Sequence, residues 1–139
     1  SAEAVEKVQL SEGSEHVIKM LNSGDGGQMI FEPAVIKVSV GDTIHFKATD
    51  AAHNSVSVDG MVPSGAASWA SQLSQDISIT LDKEGVYVYQ CDPHLIMAMV
   101  GVIQVGEAVN MDEIKSAASS YSANFLMNND RLQTYLNQL

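Results

Sequence analysis

The only cysteine of this chain, Cys91, opens the run Cys-Asp-Pro-His-Leu-Ile-Met-Ala-Met, so a thiol, the imidazole of His94 and the thioether of Met99 fall close together. A second imidazole, His53 in the pair His53-Asn54, lies well upstream, and two loops could therefore gather one Cys, two His and one Met. Thiolate and thioether are polarizable ligands that favour Cu(I), while imidazole serves both copper oxidation states. A trigonal plane of two His and one Cys with a weak axial Met is a copper arrangement. Zinc is the first competitor because it also takes Cys and His in a tetrahedral shell. A thioether adds little to a zinc site, however, and no carboxylate or second thiol stands at a matching spacing. A lone cysteine can also be no more than a small buried hydrophobe. Pro93, His94 and Met99 behind Cys91, with His53 upstream, turn the reading toward copper. A Cys/His hydrolase would need a base beside the thiolate and a third residue to orient it, which this set does not provide. The reading is therefore not of an enzyme.

The elements that must position these residues read mostly as strands. Apolar residues alternate through His16 to Leu21, Val35 to Val40, Thr43 to Phe46 and Ile77 to Leu81, separated by Gly-containing turns. Val86 to Gln90 and Val100 to Val105 are two further strands that flank the Cys91 to Met99 loop, and short strands at this spacing argue for a β-sandwich. Residues 60 to 75 are a long connection with room for a helical turn, and Trp69 within it is a packing anchor. After Gly106 the pattern becomes helical. Asn110 followed by Glu113 reads as a helix cap, and Ile114, Ala117, Ala118 and Tyr121 share one face. Leu132, Tyr135, Leu136 and Leu139 form the apolar stripe of a second helix, whose expected role is to cover one end or side of the sandwich; a partner-binding face is the alternative.

At 139 residues, 45% of them hydrophobic, the chain can bury a core without disulfides. Residues 1–13 read as a flexible lead-in and residues 14–139 as one domain, with the sandwich running to about 106 and the helices over about 110–138. No apolar run is long enough to span a bilayer, and nothing near Ser1 resembles a signal peptide. The expectation is a cytosolic protein or a mature chain whose signal has been removed. His16 and His45 lie within strand patterns without matching partners and read as structural or surface residues.

Several segments together resemble the pseudoazurins, small cupredoxins of the blue-copper class. They are Gly27-Gln28-Met29-Ile30-Phe31-Glu32-Pro33, Val40-Gly41-Asp42-Thr43, Thr49-Asp50 with His53-Asn54, Gly60-Met61-Val62-Pro63, Gly85-Val86-Tyr87, and above all Cys91 to Met99 continuing into Val100-Gly101-Val102-Ile103-Gln104-Val105-Gly106. The resemblance implies a mainly β fold, an eight-stranded Greek-key sandwich followed by two C-terminal helices. It implies His53, Cys91, His94 and Met99 as ligands of one type 1 copper ion, and a periplasmic one-electron carrier working between partners such as a cytochrome c and a reductase. Copper storage or delivery is the alternative use of the same atoms. Asn54 is expected to tie the loops together, its backbone N–H reaching the Cys91 sulfur and its amide reaching Asp92, although a plain turn residue is the simpler reading. Pro93 has no N–H and cannot give the sulfur a second backbone hydrogen bond. Asp92 stands where relatives often have a small neutral residue, and brings negative charge close to the metal.

In that family, partners dock on an apolar patch around the second histidine ligand. Here the resemblance implies a patch of Pro93, Leu95, Ile96 and Met97, joined by Met29, for which an ordinary core methionine is the alternative. The family commonly rings this patch with lysines. This chain instead has a net charge of −10, and residues 22–30, 50–65 and 90–99 contain Asp25, Asp50, Asp59 and Asp92 but no Lys or Arg. The expectation is a monomer that meets transient redox proteins neutral or basic at their docking face, without nucleic acid or a membrane span. Acidity that serves only solubility is the alternative.

Overall fold

The computed structural model describes residues 5–139. Eight strands run in chain order: β1 Glu15–Gly24, β2 Gly27–Glu32, β3 Val35–Val38, β4 Thr43–Lys47, β5 Val56–Ser57, β6 Ile77–Thr80, β7 Gly85–Gln90 and β8 Val100–Val105. They form two four-stranded sheets, ordered β2-β1-β4-β6 and β3-β8-β7-β5. β1 pairs parallel with β4, and β3 pairs parallel with β8. Neither parallel pair can be closed by a hairpin, so the chain crosses repeatedly between the sheets, the Greek-key pattern of a sandwich.

Alternation along the strands sets the layers. In β1, Ile18 and Met20 point inward while Val17 and Lys19 face solvent. β7 and β8 are apolar at almost every position because both of their faces are covered. Tyr87, Tyr89, Ile103 and Val105 enter the core between the sheets with Phe31, Phe46 and Trp69. Val86, Val88, Val100 and Val102 face outward onto a second core that includes Ile114, Ala118, Phe125, Leu132 and Leu136. These last residues belong to helices α1 (Met111–Ser122) and α2 (Arg131–Leu136) and the segment joining them. The helical stripe therefore covers one sheet of the sandwich. No helix among the described residues is long and apolar enough to cross a membrane.

Several expectations need correction. Residues 60–75 contain no helical turn; they hold Ala70 in an isolated bridge to Val56. Trp69 is the anchor expected there, with its ring against Phe46 at 6.1 Å and its indole N–H donating to Ser55 Oγ at 2.9 Å. Asn110 stands at the start of α1, its carbonyl accepting from Ile114, but its side chain does not cap the helix. It pairs instead with β7, accepting from the Val86 N–H at 2.7 Å and donating to the Val86 carbonyl at 2.9 Å. Of the segment read as a flexible lead-in, residues 1–4 lie outside the described residues. Val8 and Ser11 donate their N–H groups to the carbonyls of Gln138 and Lys37.

Candidate metal centre

Strand β7 delivers Cys91 and strand β8 starts just after Met99, so the run between them is a loop closed at its neck by the Cys91 N–H donating to the Met99 carbonyl at 2.9 Å. Within it, Asp92–Met97 form a 3₁₀ turn with proline in its first turn, where a missing N–H costs no hydrogen bond. Ala98 ends the turn in the left-handed region at φ 59°, a conformation stabilised by its N–H donating to the Leu95 carbonyl at 2.9 Å. That reversal returns the chain to β8 and brings Met99 back beside Cys91. Both residues are fully buried in the core between the sheets.

His53 arrives from the loop between β4 and β5 and is also fully buried. Its Nδ1 lies 3.6 Å from Cys91 Sγ and 3.2 Å from Nδ1 of His94, which is itself 3.4 Å from the sulfur. The point equidistant from these three atoms lies about 2 Å from each, close to a metal–imidazole bond and a little under a metal–thiolate bond of about 2.3 Å. Among the described residues, this is the one group of three or more His, Cys, Asp or Glu side chains gathered closely enough for a metal ion. Two imidazoles and a thiol converging on one point, with a thioether in the same buried cluster, fit copper by softness.

Asn22, at the end of β1, decides which nitrogen of His53 faces inward. The His53 Nε2–H donates to Asn22 Oδ1 at 2.8 Å, which leaves the Nδ1 lone pair directed at the thiol and His94. The Asn22 N–H in turn donates to the Asp50 carboxylate at 2.7 Å. Burial, and secondarily His94, hold the His53 pKa below the usual imidazole range, against a smaller opposing pull from Asp50. The ring is thus neutral and competent to ligate at neutral pH. Burial pushes the Cys91 thiol up, opposed by the backbone N–H groups of Asn54 and His94 and reinforced by Asp92. A metal taken up here must therefore displace a proton from sulfur.

The Asn54 side chain reaches the residue after Cys91, as the sequence implies. Its Oδ1 accepts from the Asp92 N–H at 2.8 Å, and its Nδ2 donates to Asp92 Oδ2 at 3.3 Å. Pro93 has no N–H to give the sulfur, and the His94 N–H that follows it donates to the Cys91 carbonyl at 3.2 Å. Asp92 is also less free than its exposed position implies. Gln90 Nε2 donates to its other oxygen at 2.9 Å, and the Tyr121 hydroxyl of α1 donates to Gln90 Oε1 at 2.6 Å. A continuous polar chain thus runs from helix α1 to the residue beside the thiol.

Around His94, Ile96 is 52% exposed. Leu95 is half-buried against the helix-side core, and Met97 is half-buried. Met29, half-buried, packs against the core between the sheets. The absence of Lys and Arg from the three loops is offset by a cation from elsewhere. Arg131, the chain's one arginine, sends its guanidinium from α2 to the carbonyls of Gln28, Met29, Met97 and Ala98 at 3.1 to 3.3 Å. It ties β2 to the ligand loop. Neither Asn22 nor Arg131 carries a local sequence signal, since each meets its partner only through tertiary pairing.

The other two histidines lie apart from this cluster. His16 Nε2 meets the Asp42 carboxylate at 2.8 Å, and His45 contacts Ser78 Oγ at 2.6 Å and Glu15 at 3.0 Å. Both are structural or surface pairings, as the strand pattern implies.

Comparison with known proteins agrees with this geometry. The family of copper binding proteins described as plastocyanin/azurin matches residues 18–106. Pseudoazurin of Methylorubrum extorquens is 42% identical over 105 residues, covering 76% of this chain and 70% of that protein. Pseudoazurin of Paracoccus pantotrophus is 40% identical over 103 residues, covering 73% and 71%. The crystal structure of native pseudoazurin from Hyphomicrobium denitrificans superposes with a TM-score of 0.81 at 39% identity, covering 90% of this chain and 98% of that one. The chain is a member of the copper-binding plastocyanin/azurin family and, within it, of the pseudoazurins.

Proposed function

We propose that this chain is a periplasmic one-electron carrier in which His53, Cys91, His94 and Met99 would hold type 1 copper. Partners dock over His94, on the patch of Pro93, Leu95, Ile96, Met97 and Met29. The observation that carries the reading is the buried convergence of two imidazole nitrogens on one thiol, within 3.2 to 3.6 Å of one another. When bound, copper supplies a one-electron couple between Cu(II) and Cu(I). The chain's residues supply the rest. Asn22 fixes the His53 ring, Asn54 fastens the two loops together, and Arg131 anchors the far side of the ligand loop. A donor set held in this way moves little when the metal charge changes, which lowers the barrier to electron exchange. Burial of His53, Cys91 and Met99 keeps water out and favours retention of the metal over delivery of it.

The reading is tested by loading the chain with one equivalent of Cu(II) and titrating it with a reductant and then an oxidant. The expected result is a reversible one-electron change with the copper retained through repeated cycles. Loss of the metal on reduction would favour delivery instead.

A further inference from the structure

The segment joining α1 to α2 reaches the metal end of the molecule. Phe125 is buried there, next to two large apolar side chains that are not: Leu126 is 77% exposed and Met127 48%. Their backbone is nevertheless held in place. The N–H groups of Leu126 and Met127 both donate to the Ile96 carbonyl, at 2.7 and 3.3 Å, and the Asn128 side chain donates to the Met97 carbonyl at 3.2 Å. Single exposed apolar residues are ordinary on a protein surface. Three held side by side, two from the inter-helix segment and Ile96 from the loop that carries His94, make a continuous apolar face beside the ligand.

The exposed charges around this face are acidic. Asp92 in the ligand loop, Asp25 in the β1–β2 turn and Asp130 just before α2 are all exposed. The six lysines lie near the N-terminus, on β1, β3 and β4, in the turn before β7 and on α1. Arg131, the one cation present, is occupied by four backbone carbonyls. A second copy of a chain with net charge −10, or an anionic bilayer, would meet repulsion here. A cationic surface would be attracted.

We propose that Leu126 and Met127, together with Ile96, form the apolar contact of a docking face for a redox protein whose electron port is ringed by lysine or arginine. The proposal rests on the carrier reading and names the partner chemistry for it. One electron passes between the partner's metal and the bound copper: a donor haem goes from Fe(II) to Fe(III) as Cu(II) becomes Cu(I). The apolar side chains exclude water at the contact, and the acidic rim speeds encounter.

The test uses the copper-loaded chain and a lysine-ringed c-type cytochrome as the probe, with the second-order rate constant of electron exchange followed by stopped flow in the downhill direction. The wild-type rate is expected to fall as salt rises. The double variant Leu126→Asn/Met127→Asn should react roughly tenfold more slowly at fixed salt while keeping the visible band and midpoint potential of the wild type. Equal rates for the variant and the wild type would overturn the proposal, as would a wild-type rate that rises with salt. A wild-type dimer in sedimentation equilibrium that the variant breaks would show that a second copy covers this face, and would overturn it too. A chain that cycles its copper but fails only these tests leaves the carrier reading standing; one that exchanges no electron with any reductant removes that reading and the proposal with it.

Discussion

His53 has two ring nitrogens, and a single hydrogen bond to Asn22 decides which of them meets the thiol. Replacing Asn22 with Ala frees the ring to rotate or change tautomer. Copper affinity should fall by roughly ten- to a hundredfold in competition with a chelator, while the far-UV circular dichroism is unchanged. We propose that Asp92 would act on a bound metal through charge. Its carboxylate belongs to the residue after Cys91 and is held by Asn54 and Gln90, where a negative charge would disfavour reduction. Asp92→Asn should raise the midpoint potential measured by redox titration, and an unchanged potential would show that the charge is fully screened. At this scale the ligands were legible because a thiol, two imidazoles and a thioether form a rare set with a chemical meaning. Asn22, Gln90, Tyr121 and Arg131 were not, because an amide, a phenol or a guanidinium means nothing until the fold supplies its partner.

Strands β7 and β8 must be packed on both faces, which puts tight demands on small residues. Gly101 pairs with Tyr89 across the sheet, and a Cβ at that position would overlap the Tyr89 ring and hydroxyl. Gly101→Ala is expected to destabilise the fold by about 1–3 kcal/mol in denaturant unfolding, the usual cost of overpacking a filled core. Where β1 pairs with β4, the buried Asp42 carboxylate accepts from His16 and from the Ser39 N–H. Burial pushes its pKa up, but the hydrogen bonds and the charge of His16 outweigh that and leave it below the ordinary value of 3.8. A carboxylate with a lowered folded-state pKa contributes stability that is present above pH 3.8 and lost as the pH falls through the folded value. Asp42→Asn should therefore lower the melting temperature at neutral pH and flatten the acid limb of the stability curve. The edge strands were the elements hardest to read. β5 has two residues and β2 begins at a glycine, too little for a period-2 pattern to register. Asn110 misled for a related reason, since the same side chain that can cap a helix can equally bond the edge of a strand.

Across the whole molecule, one acidic sandwich carries its chemistry at one end. Loops from both sheets meet there, and the two C-terminal helices are more than a cover for one sheet. They bring Tyr121 into the polar chain that holds Asp92 and place Arg131 across the ligand loop, so the segment after residue 106 belongs to the metal end as much as to the core. Eight strands and two helices were legible from apolar periodicity and from the resemblance. The charge pattern was legible only in part, because the loops lack cations while the one arginine enters from a helix far away in sequence. Copper held by the Cys91 thiolate between two imidazoles would have a direct signature in the visible and EPR spectra recorded after adding one equivalent of Cu(II) to the wild-type chain and to Cys91→Ser. The wild type should show an intense thiolate-to-copper charge-transfer band with narrow copper hyperfine splitting, and Cys91→Ser should lose the band. A wild-type spectrum without that band, or one that survives the loss of the thiol, would contradict the account.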